Sequence, residues 1–235
     1  MTEASLEPAY VLHGRSYRET SMILELFTAS FGRIGLLARG VKGKKKSSVS
    51  ELQPFTPLLI SWRGRGELPT LTSVEKQPQI MPDLQGSSLL SALYVNELIL
   101  RLTHRDDPLP ELFSLYQNVI AQLAEPAKLE QNLRFFELDL LQAIGYGSVL
   151  DQDIESGQAI CAESQYRFEL EHGATLGLPA HRGQVALSGS TLLALHQRVD
   201  LDETEKRESK QLMRRLLALY LGGKPLKTRE LFKTY

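Results

Sequence analysis

A dense group of basic side chains lies in the first third of the chain, where an alternating segment runs into a glycine-containing loop. Arg33 and Arg39 belong to the alternating segment, and Gly40 and Gly43 follow it. Four lysines stand close together in the same loop: Lys42, Lys44, Lys45 and Lys46. Cations this close repel one another unless an anion lies among them, and phosphate oxygens accept charge-assisted hydrogen bonds from both types of side chain. These residues therefore indicate that the chain binds a polyanion.

Basic charge is concentrated in this region. Between Arg33 and Arg65 the chain has eight basic residues, Arg63 among them, against Glu51 as the one acidic residue, so the segment carries a net charge of +7. The whole chain of 235 residues carries −1, which leaves −8 for the remainder. Such segregation favours a nucleic-acid site. A lysine run is also typical of a solvated loop that only keeps a protein in solution.

The elements that position these cations are predicted to be short strands. Successive side chains of a strand point to opposite faces, so Arg33 should face outward. In the preceding strand, Phe27 shares its face with Glu25, and we expect it to be exposed as a surface on which a base could stack. Trp62 alternates in phase with apolar residues and is predicted to lie in the core. The predicted core positions around the basic strand are Ile34, Leu36, Ala38, Leu58 and Ile60.

The fold class predicted from these patterns is α+β. Five short strands in residues 1–80, with a long loop after the third, suggest a closed β-barrel of the oligonucleotide-binding (OB) type, although an SH3-like barrel fits the pattern equally well. Residues 81–147 have the 3.6-residue period of helices and are predicted to form a helical bundle, with Pro110 in the first turn of one helix. Residues 148–235 should form a mixed region, with short strands near 166–170 and 184–187 before the closing helices. Asp202 and Glu205 have the spacing of a capping box and should begin the longer of these helices. We expect these three segments to be domains.

Patterns for catalysis, cofactors and membranes were sought and not found. The lysine run lacks the first glycine and the hydroxyl of a phosphate-binding loop, and the acidic run after Leu150 lacks the glycine and the last carboxylate of a calcium loop. Cys161 is the single cysteine, which excludes a multi-cysteine zinc site. No nucleophile motif is present, no apolar run approaches the ~20 residues that span a bilayer, and the N-terminus does not resemble a signal peptide. We expect a cytoplasmic protein without cofactor or enzymatic activity.

Several long segments resemble the bacterial recombination mediator family RecO. They occur in the family's order over nearly the whole chain, and they are YVLHGRSYRETSMILELFTASFGRIGLLARGVKGKKK, LQPFTPLLISWRGRGELPTL, LYVNELILRL, LRFFELDLLQAIGYG and YLGGKPLKTRELF. The resemblance implies an OB barrel, a helical bundle and a C-terminal region. Many members carry a four-cysteine zinc module after a Gly-Tyr-Gly segment. Here Gly145, Tyr146 and Gly147 are followed by Cys161 alone, so residues 148–187 are expected to fold without zinc.

The resemblance also implies partners and a role. Members bind single- and double-stranded DNA, anneal complementary strands, engage the C-terminal tail of single-stranded DNA-binding protein, and work with RecR to help load RecA. They act without breaking bonds, in the cytoplasm and at the nucleoid during repair. Two other functions use the same features: an RNA-binding accessory protein, which would exploit the 2′-hydroxyl, and an interaction scaffold whose lysine loop is incidental.

Three sets of residues are the candidate sites. We expect contacts with DNA phosphates, which fix position without reading sequence, from Arg33, Arg39, Lys42, Lys44, Lys45, Lys46, Arg63 and Arg65. The acidic, apolar-ended tail of a partner needs a cation beside an apolar pocket, and Arg134 with Phe135 and Leu138 is predicted to supply them away from the buried stripe of its helix. A second basic cluster for DNA or RecR is predicted at Lys224, Lys227 and Arg229.

Overall fold

The computed structural model describes residues 4–40, 52–64, 66, 68–78 and 82–234. The predicted DNA contacts at Lys42, Lys44, Lys45, Lys46 and Arg65 lie outside the described residues. By packing, the chain divides into two compact units, Met1–Ala124 with Leu226–Tyr235, and Glu125–Pro225. The division into domains at residues 80 and 147 stays a prediction.

The first unit contains the predicted five-stranded barrel. Its strands are β1 (Ala4–Tyr17), β2 (Ser21–Thr28), β3 (Gly32–Ala38), β4 (Leu58–Arg63) and β5 (Thr70–Lys76). The barrel closes in the order β1-β2-β3-β5-β4, with β3 and β5 parallel and the other pairs antiparallel. A closed barrel followed by helices and a mixed region confirms the predicted fold class.

Alternation in the strands explains the core of the barrel. Ile34, Leu36 and Ala38 are buried as predicted, and Trp62 is 3% exposed among them. Strand β1 is longer than its apolar stretch of residues 9–12, because pairing with β2 continues to Tyr17 through exposed polar residues after a bulge between Val11 and His13. The sequence pattern did not predict the exposed half of β1 as part of the strand, because this half has no apolar alternation of its own.

Six α-helices accompany the strands in the described part of the chain. They are α1 (Gly86–Leu102), α2 (Pro110–Gln122), α3 (Leu129–Ala143), α4 (Gly189–Gln197), α5 (Glu203–Tyr220) and α6 (Thr228–Thr234). Helices α1, α2 and α6 belong to the first unit, and α3, α4 and α5 to the second. Pro110 begins α2, and Asp202 with Glu205 forms a capping box on α5, both as predicted.

Buried polar contacts attach the helices of the first unit to its barrel and to one another. The Asn96 side chain of α1 donates a hydrogen bond to the Leu12 carbonyl of β1 (3.0 Å) and accepts one from the Tyr116 hydroxyl of α2 (2.9 Å). The Glu97 carboxylate accepts hydrogen bonds from the backbone nitrogens of Lys227 and Thr228, both at 2.8 Å. Burial raises the pKa of Glu97, but these hydrogen bonds outweigh it and lower the pKa. Glu97 thereby caps α6 and holds it on α1.

The second unit contains a three-stranded antiparallel sheet in the order β7-β6-β8. Its strands are β6 (Gln165–Glu169), β7 (Gly173–Leu176) and β8 (Val185–Ser188). The predicted strands near 166–170 and 184–187 correspond to β6 and β8. Strand β7 was not predicted, since four residues of Gly-Ala-Thr-Leu carry too little alternation to indicate a strand.

A carboxylate organises the part of this unit that was expected to fold without zinc. Asp153 is 5% exposed. Its Oδ1 accepts hydrogen bonds from the backbone nitrogens of Glu155 (2.9 Å) and Ser156 (2.8 Å), and its Oδ2 from that of Leu176 (2.6 Å). These hydrogen bonds lower the pKa of Asp153, that from Ser156 most and then those from Leu176 and Glu155. One side chain therefore closes its own turn and joins that turn to β7.

The described part of the chain contains neither a membrane-spanning helix nor a cluster of metal-binding side chains. No helix there is long and apolar enough to cross a membrane. Nor do three or more His, Cys, Asp or Glu side chains of the described residues come together in a way that could hold a metal ion.

Candidate nucleic-acid interface

Arg33 faces outward on β3, as predicted, but its guanidinium is engaged by other protein groups. Its side chain is 16% exposed; it forms an ion pair with Glu25 (3.2 Å) and donates a hydrogen bond to the Thr103 carbonyl (2.9 Å). Arg105 pairs with the same Glu25 carboxylate. Burial lowers the pKa of Arg33, and Glu25 opposes that effect. The expectation of a free cation is therefore wrong for Arg33, which attaches the barrel to the segment after α1, and its contact with a phosphate stays a prediction.

Phe27 is fully buried, so its predicted role as an exposed stacking surface is also wrong. Its ring centroid lies 5.5 Å from that of Phe113 and 6.0 Å from that of Tyr116, both on α2. Helix α2 covers the outer face of β2 at this level. The parity argument fails because both faces of the strand are buried there.

Arg39 directly follows β3 and is exposed. It borders an open pocket of about 510 Å³ at the turn between β1 and β2. The residues that line this turn pocket are Tyr17, Arg18, Glu19, Thr20, Ser21, Leu37 and Arg39. The lysine-rich segment begins at Lys42, three residues after Arg39 in sequence. The structure thus places one of the predicted phosphate contacts beside a recess.

The β1–β2 hairpin contributes two basic residues and an aromatic ring that the sequence reasoning did not select. Arg15 pairs across the sheet with Ile23, which in turn pairs with Leu37, so Arg15 shares the outer face with Leu37. Arg18 lies over the ring of Tyr17, 5.3 Å from its centroid. Tyr17 is 36% exposed. The exposed His-x-Arg-x-Tyr alternation was the signal that could have identified this face.

We call Arg15, Tyr17, Arg18 and Arg39 the hairpin face. None of its three arginines forms an ion pair with a described residue, and Glu19 is the one acidic residue among the described residues that line the turn pocket. Arg18 has a φ of 53°, a left-handed backbone conformation that is uncommon for residues other than glycine. Uncompensated arginines around an exposed tyrosine can bind a phosphate backbone and stack on a base.

Arg63 ends β4 at the same end of the barrel. It is exposed and pairs with Thr70, and Thr70 pairs with Leu37 on its other side. Of the predicted DNA contacts within the described residues, Arg39 and Arg63 therefore lie at one end of the barrel, while Arg33 is used in packing.

The residues predicted to bind the acidic tail of a partner, on α3, differ in accessibility from what was expected. Arg134 is 7% exposed and paired with Glu137 at 2.7 Å, so the prediction of an accessible cation there is wrong. Leu138 is buried and Phe135 half-buried. The prediction failed because α3 packs against more than one neighbour, which buries residues beyond its main apolar stripe.

Arg198 takes the place that was predicted for Arg134. Its guanidinium lies 5.8 Å from the ring centroid of Phe135 and pairs with Asp139. It borders a pocket of about 160 Å³ in the second unit. The residues lining this tail pocket are Leu138, Gln142, Gly147, Ser148, Leu150, His196 and Arg198. Two leucines beside an arginine and a histidine are the combination that was predicted around Arg134. Arg198 also pairs with Asp139, and His196 lies 3.9 Å from Asp151.

The second predicted basic cluster is divided between the units. Lys224 is exposed near the end of the second unit, whereas Lys227 and Arg229 belong to the first. Lys227 is exposed and Arg229 half-buried, beside and within α6 respectively.

Comparisons with known proteins agree with the barrel and the helical segments. A family profile described as "Recombination protein O N terminal" matches residues 1–77, and one described as "Recombination protein O C terminal" matches residues 84–230. Proteins named "DNA repair protein RecO" from Nitrosococcus oceani and Methylococcus capsulatus are both 46% identical to the chain, over 97% of it and over 92% and 93% of their own lengths. One of that name from Coxiella burnetii is 44% identical over 97% of both chains. The chain therefore belongs to the RecO family of DNA repair proteins.

Proposed function

We propose that this protein is a non-enzymatic recombination mediator that binds single- and double-stranded DNA through the hairpin face and the adjoining lysine-rich segment. The observation that carries the proposal is a group of three arginines, Arg15, Arg18 and Arg39, that have no carboxylate partner among the described residues. Arg18 and Arg39 line an open pocket with Tyr17 on its wall, and Arg15 lies on the outer face of the same hairpin. Arg63 adds a cation at the same end of the barrel.

The mechanism follows from the kind of contact these residues make. Arginine and lysine contacts to phosphates are independent of sequence and sensitive to salt. Neutralising the backbones lowers the repulsion between two strands, and it leaves base edges free to pair. We therefore propose that the protein anneals complementary strands, and that with RecR and single-stranded DNA-binding protein it promotes RecA loading on DNA at the nucleoid.

Binding to oligonucleotides across a salt series tests the DNA site. The variant R15Q/R39Q removes two exposed cations of the hairpin face. The control K76Q/K128Q removes the exposed Lys76 of β5 and the half-buried Lys128, which pairs with Asp200. We expect R15Q/R39Q to bind single-stranded DNA about tenfold more weakly, with a slope of log affinity against log salt that is shallower by about 1.4. An R15Q/R39Q variant that behaves like K76Q/K128Q would overturn the proposed site.

The tail pocket supports a second binding activity, for the acidic C-terminal tail of single-stranded DNA-binding protein. Arg198 and His196 would meet carboxylates, and Leu138 and Leu150 the apolar end. We expect R198Q to weaken binding of a tail peptide about tenfold, as loss of a charge-assisted hydrogen bond implies. K128Q is the matched control. Equal affinities for R198Q and K128Q would exclude this pocket.

The remaining partners have simple discriminating tests. Lys224, Lys227 and Arg229 are proposed contacts for RecR or DNA, and K227Q/R229Q should weaken one of these complexes.

Preference for single-stranded DNA over RNA of the same sequence would separate this function from that of an RNA-binding accessory protein. Annealing of complementary strands would exclude a pure scaffold.

A further inference from the structure

We propose that the second unit has its own polynucleotide-binding surface, formed by Arg207, Arg214 and Arg215 of α5 with Arg182 of the preceding loop. We call these four residues the α5 surface. The proposal rests on the proposed function, because it adds a second contact with the same class of ligand.

Charge is sorted along α5. The acidic residues of its first turn are engaged: Glu205 completes the capping box, and Glu203 pairs with Lys206 at 2.7 Å. Beyond that turn Glu208 is the helix's one acidic residue. Its Oε2 accepts hydrogen bonds from the hydroxyls of Ser188 (2.9 Å) and Thr191 (2.6 Å), and it forms no ion pair with a described arginine. The rest of the helix is therefore cationic.

The arginines of the helix point to solvent without carboxylate partners. Arg207 and Arg214 are exposed, and neither they nor Arg215 and Arg182 form an ion pair within the described part of the chain. Arg207 and Arg214 are seven residues apart and so lie on one side of the helix, with a separation of about 10 Å along its axis. Lys210 lies between them and pairs with Glu130.

Arg215 is held in place by backbone groups. Its Nη2 donates a hydrogen bond to the Arg182 carbonyl (2.6 Å), and its Nη1 donates one to the Gln184 carbonyl (3.3 Å). Carbonyl groups orient the guanidinium but leave its full positive charge uncompensated. The same contact brings the exposed loop residue Arg182 beside α5.

The spacing favours a polynucleotide over other anions. The cations extend over two helical turns with no enclosing cleft, which suits a chain of phosphates better than a single one. The exposed residues between and after the arginines are Gln211, Ala218 and Leu219. A single exposed leucine is less than the apolar pocket that an acidic, apolar-ended peptide requires. A protein with cations on the barrel and on α5 could hold two stretches of DNA, which is what pairing of two strands demands.

The variant R207Q/R214Q tests this surface in the full-length protein. We expect single-stranded DNA binding to weaken about tenfold and the salt slope to become shallower by about 1.4, whereas K76Q/K128Q should match the wild type. Because arginine at exposed helix positions contributes to binding by charge, R207K/R214K should retain most of the affinity. In the R15Q/R39Q background, R207Q/R214Q should make the salt slope shallower by about 1.4 more.

The outcomes separate this proposal from the function it rests on. If the wild type binds DNA and R15Q/R39Q weakens it, but R207Q/R214Q equals K76Q/K128Q, the α5 surface is refuted while the barrel site stands. If R207Q/R214Q leaves DNA binding intact and loses affinity for an acidic tail peptide, the ligand is a protein and the polynucleotide assignment is overturned. If the wild type shows no salt-sensitive binding, the proposed function itself fails.

Discussion

Arg33 donates a hydrogen bond to Glu25 from β3 to β2, at 3.2 Å, while Arg105 binds the same carboxylate from outside the barrel. Two residues that look like part of one basic strand, Arg33 and Arg39, thus have different roles. The first joins elements of the first unit, and the second borders the turn pocket.

This difference predicts a separation of stability from binding. R33Q should lower the free energy of unfolding by about 1 to 3 kcal/mol, because it removes a half-buried charged hydrogen bond, and should leave the salt slope of DNA binding unchanged. R39Q should leave the free energy of unfolding unchanged and should make the salt slope of DNA binding shallower. Urea unfolding of the two variants measures the change in stability, and fluorescence anisotropy of labelled DNA measures the change in salt slope. A shallower salt slope in R33Q at unchanged stability would return Arg33 to the DNA site.

Tyr17 should discriminate between single- and double-stranded DNA. A base can stack on its ring only when it is unpaired, and stacking contributes about 1 to 3 kcal/mol per base. We expect Y17A to weaken single-stranded binding about tenfold and duplex binding much less, and Y17F to resemble the wild type. Tyr146→Ala removes an exposed tyrosine of the second unit and serves as the control. Equal losses on both kinds of DNA would argue against stacking.

The lysine segment should contribute charge without sequence preference. Replacing Lys44, Lys45 and Lys46 with glutamine removes three cations and should reduce the salt slope on single strands by about 2. The loss should be similar on oligonucleotides of different sequence. An affinity equal to that of the wild type would show that this segment does not contribute to DNA binding.

Asp153 should make the stability of the second unit depend on pH. Its folded pKa is lowered, so its contribution is fully present above the unfolded value, about 3.9, and is lost as the pH falls through the lower folded value. At pH 7 we expect D153N to lower the unfolding free energy by about 1 to 3 kcal/mol, because an amide NH₂ would face the Leu176 nitrogen. The gap between wild type and variant should close in acid below about pH 4.

The exposed Glu169→Gln variant is the control for Asp153. It should follow the wild type at all pH values. A gap for D153N that persists unchanged in acid would mean that the carboxylate charge is not what holds the turn to β7.

The sequence predicted those features that depend on local pattern. Alternation in β2, β3 and β4 identified the barrel, and the spacing of Asp202 and Glu205 identified the start of α5. Features that depend on contacts between distant segments were missed. Phe27 is buried because α2 covers its strand, and Arg134 because α3 has several neighbours.

Local sequence patterns also identified only part of the candidate DNA site. Arg39 was found because it follows an obvious strand. Arg15 and Tyr17 were not, because their approach to Leu37 and Arg39 depends on the register of β1 with β2 and of β2 with β3. Similarly, Arg182 and Arg215 are 33 residues apart, and no local pattern joins them.

The central claim is that this protein binds DNA electrostatically through the barrel. Its most direct test is the fluorescence anisotropy of a labelled, mixed-sequence single strand titrated with the wild-type protein at several salt concentrations. We predict that log affinity falls with log salt at a slope of about −5, as roughly seven phosphate contacts at ~0.7 each would give. Binding that does not change with salt, or no binding at low salt, would contradict the claim.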